Sequence, residues 1–168
     1  MKRARAFTLI EVLVVVVLLG IVAAIVLPSL SRGTTMAKES SLAFDLNLLR
    51  RFILVYKSQH LEVSPGYPDG DTAAAPTDQA FRDQAMLSSK ASGVTAAVGT
   101  AGFPCGPYLS KIPTNPFNGK DTVEMLANGQ DFPAAGDDSH GWICKPQTGE
   151  VRCDNSGNAL NGTSYYDL

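Results

Sequence analysis

The chain has 168 residues, with 14 Lys+Arg against 16 Asp+Glu and a formal net charge of −2. That length holds a membrane segment and one compact domain of roughly 100 to 130 residues, enough to bury a modest core. No basic patch is present to neutralise phosphates, which argues against nucleic acid as a partner. Enzyme signatures are missing too: there is no Gly-x-Ser-x-Gly elbow, no Gly-Lys-Thr phosphate loop and no His-Glu-x-x-His pair.

The chain opens on a basic tip, residues 1–6, carrying Lys2, Arg3 and Arg5. An apolar stretch from Phe7 to Leu27 follows, interrupted by the single charge of Glu11, and from Val12 to Leu27 every residue is apolar or Gly. The stretch reaches the roughly 20 residues a helix needs to cross a bilayer. The positive-inside rule orients the tip to the cytoplasm and the bulk of the chain outside. A charge within such a span costs on the order of 2.5 to 3.5 kcal/mol at the centre and less near an end, so Glu11 points to function and to a partner. Two plainer readings stand beside this one. A secretory signal peptide also has a basic n-region, and Val22-Ala23-Ala24 offers small residues for cleavage, but such peptides use apolar runs of only ~7 to 15 residues. An ordinary signal anchor would let Glu11 snorkel to the nearby interface.

Ala6-Phe7-Thr8-Leu9-Ile10-Glu11-Val12, with the later Leu19-Gly20-Ile21-Val22-Ala23-Ala24-Ile25-Val26-Leu27-Pro28, resembles the class III signal of type IV pilins and type II secretion pseudopilins. The resemblance implies that a prepilin peptidase cuts between Ala6 and Phe7 and that the new amine at Phe7 is methylated. It also implies a helix kink at Pro28 and a role for Glu11 in assembly. The family usually has Gly before the cut, where this chain has the small residue Ala6. Cleavage would remove Lys2, Arg3 and Arg5, taking the side-chain charge from −2 to −5. A buried carboxylate beside an ammonium costs far less than either alone. Glu11 of one subunit is therefore expected to pair with the Phe7 amine of an adjacent subunit and set the axial register of a helical filament. The implied partners are other copies of the chain, prepilin peptidase, other pseudopilins and an inner-membrane assembly platform with its ATPase. The implied location is the inner membrane, single-pass, with the C-terminal domain in the periplasm.

Pro28-Ser29 and Gly33-Thr34-Thr35 lower helix propensity and predict a bent or partly melted stretch. Beyond it, Leu42, Leu46, Leu49, Ile53 and Tyr56 recur on one helical face, with Arg50, Arg51 and Lys57 off the stripe. A loop is expected around Val63 to Asp71, then a short helix through Ala80, Phe81, Ala85, Met86 and Leu87 capped by Asp78. Phe103 to Gly119 is too rich in Pro for a regular central element. Within it, Tyr108-Leu109-Ser110-Lys111-Ile112-Pro113-Thr114-Asn115-Pro116 resembles the Tyr-Leu-x-x-(Leu/Ile)-Pro-x-(Asn/Asp)-Pro loop of major pseudopilins, which favours a secretion pseudopilin over a pilus-forming pilin. Strands are predicted at Thr122–Leu126, Gly141–Lys145 and Glu150–Cys153, the last two as a hairpin around Pro146-Gln147-Thr148-Gly149.

The expected fold class is α+β: a long N-terminal helix, transmembrane in one half and amphipathic in the other, packed on a small C-terminal antiparallel sheet in a type IV pilin-like arrangement. The segments are residues 1–6 as leader, 7–30 as transmembrane and filament-core helix, 31–60 as amphipathic helix, and 61–168 as periplasmic globular domain.

Cys144 and Cys153 flank the hairpin turn and form the favoured disulfide, provided a two-residue Thr148-Gly149 loop sets them opposite each other; a four-residue turn makes them diagonal. A bridge to Cys105 and free thiols are the alternatives. No Cys-x-x-Cys occurs, and neither His60 nor His140 has ligand spacing with the thiols. Asp131, Asp137 and Asp138 cluster before Trp142, as a solvated acidic loop or a possible calcium site, since some major pseudopilins hold calcium in a sheet loop. Asn161-Gly162-Thr163 matches a glycosylation sequon, expected to be idle behind a class III signal. The competing class is a membrane-anchored extracytoplasmic enzyme or binding domain, with Asp69, Asp71 and His140 as its polar candidates, active in a soluble form starting after Gln59.

Overall fold

The computed structural model describes the backbone of residues 8–168 and, within it, the side chains of all but residues 27–29 and 31. The expected cleavage and methylation positions, Ala6 and Phe7, and the side chain of Pro28 lie outside the described residues. The chain forms two compact units, Met1–Ala37 and Lys38–Leu168.

Helix α1 runs from Leu9 to Gln59. It stays helical through residues 28–35, so of the two expected outcomes there, a bend or partial melting, the melting does not occur. Proline removes one backbone bond, and a helix already propagating on both sides bridges so local a loss. In the first unit, the side chains of the Leu9–Val26 segment are exposed throughout. A helix hydrophobic all round seeks an apolar surrounding, either lipid or other helices.

The second unit is built on the later part of α1. Leu42, Leu46, Leu49, Ile53 and Tyr56 are each 2% exposed or less, as the spacing predicts. Phe52, off that stripe, is buried as well, because its ring meets Phe81 at 5.4 Å and Tyr108 at 5.6 Å between centroids. Helix α2 spans Asp78–Met86 and is capped by Thr77, whose hydroxyl accepts from the Ala80 N–H at 3.1 Å. The expected cap, Asp78, lies one residue too far in. Its carboxylate instead accepts from Arg82 at 2.9 Å and from the Val123 N–H at 3.3 Å, tying α2 to the sheet.

Two short strands, β1 (Ser88–Ser89) and β2 (Thr95–Ala96), pair antiparallel. They were not expected, since small residues carry little strand propensity. They form where Ser89 exchanges both backbone bonds with Cys105. The main sheet has the order β3 (Val123–Met125), β4 (Trp142–Lys145), β5 (Glu150–Cys153). β4 and β5 are the expected antiparallel hairpin, but β3 runs parallel to β4. The sheet is therefore mixed, a correction to the all-antiparallel expectation. The connection 126–141 is long enough for the crossover that parallel pairing requires. The apolar side chains of Val123, Trp142, Cys144, Val151 and Cys153 share one core with α1, α2 and the Leu109–Ile112 loop. This is the α+β arrangement of a pilin-like fold: a long apolar helix followed by small helices and sheets.

Candidate assembly site at the amino-terminal helix

α1 begins at Leu9, which makes Thr8 the residue at its N-cap and Glu11 the third helical position. Thr8 Oγ1 accepts from the Glu11 N–H, and Glu11 Oε2 accepts from the Thr8 N–H and hydroxyl, each at 3.3 Å. This reciprocal pair is a capping box, which satisfies two of the backbone donors that every helix start leaves orphaned. Sequence reasoning missed Thr8, although Thr-x-x-Glu ahead of an apolar run is the signal that finds it. The box explains how an acid is tolerated at the head of a membrane span: the carboxylate is hydrogen-bonded and sits at the positive end of the helix dipole.

Leu9–Val26 is the one helix segment among the described residues long and apolar enough to cross a membrane. Its 18 residues extend about 27 Å at 1.5 Å per residue, close to the hydrocarbon thickness. Glu11 therefore lies at one edge of the span, where an acid costs less than at the centre.

The remaining candidates are dispersed. Cys144 faces Val151 and Cys153 faces Trp142 across the hairpin, so a four-residue turn holds, the two cysteines are diagonal, and the structure carries free thiols at Cys105, Cys144 and Cys153. This departs from the expected Cys144–Cys153 bridge, because diagonal positions on paired strands are roughly 7 to 8 Å apart, beyond disulfide reach. Burial pushes both hairpin thiols up to about 12. Of the acidic cluster, Asp131 pairs with Lys145 at 2.9 Å, which holds its carboxyl below the usual range. Asp138 accepts from Ser156 and from Asn155 Nδ2 (2.7 Å), and these bonds lower it as well. Asp137 accepts from the Ser139 N–H at 2.9 Å. Among the described residues no three acidic, His or Cys side chains are gathered as a metal would require, and carboxylates so engaged do not fit a calcium ion that takes six to eight oxygens.

The polar candidates of the enzyme reading are spent locally. Asp71 accepts from the Ala73 N–H at 2.9 Å, and the His140 ring meets Ser139 Oγ at 2.8 Å. Asp69 sits in a turn at positive φ. His60 is buried in the head core, stacked on Tyr56 at 3.6 Å, with Nδ1 against the Tyr56 carbonyl (2.8 Å) and Nε2 against Ser89 Oγ (2.9 Å).

A single-pass membrane anchor headed by a capped acid, joined to a small α+β head, defines a subunit of the type IV pilin-like class. Residues 1–27 match the family described as the prokaryotic N-terminal methylation motif. The chain is 31% identical over 130 residues to the type II secretion system core protein G of Klebsiella pneumoniae, covering 77% of this chain and 79% of that one. The protein of the same description in Aeromonas hydrophila is 29% identical, with 77% of each chain covered. That of Klebsiella michiganensis is 26% identical, covering 84% of this chain and 94% of the relative. The chain belongs to the type II secretion system core protein G family, and with it to the pseudopilins. No solved structure matches it significantly.

Proposed function

We propose that the chain is cut between Ala6 and Phe7 by a prepilin peptidase, methylated on the new Phe7 amine, and polymerised through α1 into a helical filament whose growth drives protein export. Its family makes it a structural subunit of a type II secretion pseudopilus, and its work is mechanical. The observation that carries the reading is a coincidence within residues 1–27: one segment holds the methylation motif, the membrane span and a hydrogen-bonded acid at the head of that span. An acid so placed is held at the membrane edge by its own helix start, and it is available to the ammonium of a neighbouring subunit.

On this reading Glu11 of one subunit pairs with the Phe7 amine of the next, which sets axial register because each carboxylate meets one terminus. The unit Lys38–Leu168 lies in the periplasm. Assembly draws on other pseudopilins and on an inner-membrane platform with its ATPase. Mass spectrometry of the protein isolated from cells with an active prepilin peptidase tests the reading. A mature N-terminus at a methylated Phe7 is expected. Retention of Met1, or a start at Ile25, would overturn it.

A further inference from the structure

An exposed side-chain cation lies against the acidic loop before β4. Lys120 Nζ donates to the carbonyl of Asp138 and to that of Ser139, both at 2.9 Å. The backbone of the lysine is hydrogen-bonded through both of its polar groups. Its N–H donates to Asn118 Oδ1 at 3.0 Å, and its carbonyl accepts from the Asn115 N–H at 2.8 Å. The backbone at Lys120 and the loop touch so closely that a Cβ at Gly141 would come within 2.3 Å of the Lys120 carbonyl oxygen. From the far side, buried Asp154 accepts from the N–H groups of Asp137 (2.8 Å) and His140 (2.7 Å) and from Ser139 Oγ (3.1 Å).

A carbonyl-lined turn rich in aspartate is a setting in which a hard divalent ion would commonly supply the missing positive charge. Here two carbonyls converge on an ammonium, and the carboxylates of Asp137, Asp138 and Asp154 accept from N–H and O–H donors of the loop and of residues 155–156. We infer that Lys120 takes the structural place of a bound divalent cation, so that the loop 136–141 and the sheet behind it fold independently of calcium. A tethered ammonium presents three donors and is present at fixed stoichiometry, whereas an ion is held only while its free concentration exceeds its dissociation constant.

The test is thermal unfolding of the full chain in detergent micelles, followed by the fluorescence of Trp142, the only tryptophan in the sequence and the residue directly after the loop. The midpoint of the unaltered chain is expected to be the same in EGTA and in calcium chloride. Lys120→Gln is expected to lower it by about 3 to 5 °C, the shift that losing its two solvent-exposed charge-assisted contacts gives a domain of this size, and Lys120→Arg to retain most of it. A calcium-dependent rise of several degrees in the unaltered chain would overturn the inference, and so would a Lys120→Gln chain that melts like the original. If that variant does not fold, calorimetric titration of the unaltered chain with calcium chloride decides: no saturable heat is expected, and saturable binding refutes the assignment.

Discussion

Thr8 and Glu11 hold each other at the first turn of α1: the threonine hydroxyl accepts from the glutamate N–H and the glutamate carboxylate accepts from the threonine N–H. Thr8→Ala removes the hydroxyl that accepts from the Glu11 N–H at the edge of the apolar span. Thr8→Ala is expected to cost about 0.5 to 2 kcal/mol of local helix stability. Amide hydrogen exchange of the micelle-bound chain should show faster exchange at residues 9–12 and no change in the head. Equal protection in both chains would mean that the cap contributes nothing.

Glu11→Gln keeps a side chain that can still accept from Thr8 but removes the charge. Membrane insertion should therefore be normal and filament formation poor, because a neutral amide cannot offset an ammonium at the lipid edge. Membrane fractionation and sedimentation of sheared filaments separate the two steps. Filament yields matching the unaltered chain would remove Glu11 from assembly.

Leu49 is fully buried in the head core. Leu49→Ala should lower the stability of the head by about 2 to 5 kcal/mol. Denaturant melts followed through Trp142 measure this directly, since its indole is buried and donates to the Pro113 carbonyl at 2.9 Å. Leu54→Ala, on the exposed side of the same helix, should fall within about 0.5 kcal/mol of the original.

Burial holds the His60 ring below its ordinary value of 6.5. The unfolded chain therefore takes up this proton first as pH falls. The contribution of the neutral ring is complete above about pH 6.5 and is lost progressively as pH drops toward the folded-state value. Denaturant midpoints recorded between about pH 7.5 and 5 should fall more steeply for the original chain than for His60→Phe. Parallel slopes would show that the ring does not titrate differently on folding.

Cys105 is partly exposed while Cys144 and Cys153 are buried and shifted upward by that burial. A thiolate is the reacting species, so a disulfide reagent such as DTNB should modify one thiol in the folded chain and three after denaturation. Two unreactive sulfurs in the denatured, unreduced chain would instead mean that a bridge forms.

The anchor is legible in the length of its apolar run, the core stripe Leu42 to Tyr56 in its period and the β4–β5 hairpin in its turn residues, because each depends on features local in sequence. The apolar spacing repeats along one helix face, and Pro146 to Gly149 closes its own turn. The acid at Glu11 was legible for the same reason: a charge in an apolar run stands out without any knowledge of its surroundings. The capping box is equally local, since Thr8 and Glu11 stand three residues apart ahead of the apolar run.

What distant parts of the chain bring together could be decided only by the fold. The parallel pairing of β3 with β4 depends on how the connection 126–141 packs, and with it the small cluster of Leu126, Ile143 and Tyr166. The separation of Cys144 from Cys153 rests on a two-residue difference in register that side-chain chemistry does not encode. Lys120 reaches the carbonyls of Asp138 and Ser139 across a gap of eighteen and nineteen positions, and no spacing rule connects a lysine to a backbone oxygen. Composition and period determine which face of each element is apolar, but hydrogen bonds between loops form only once the core has fixed where those loops lie.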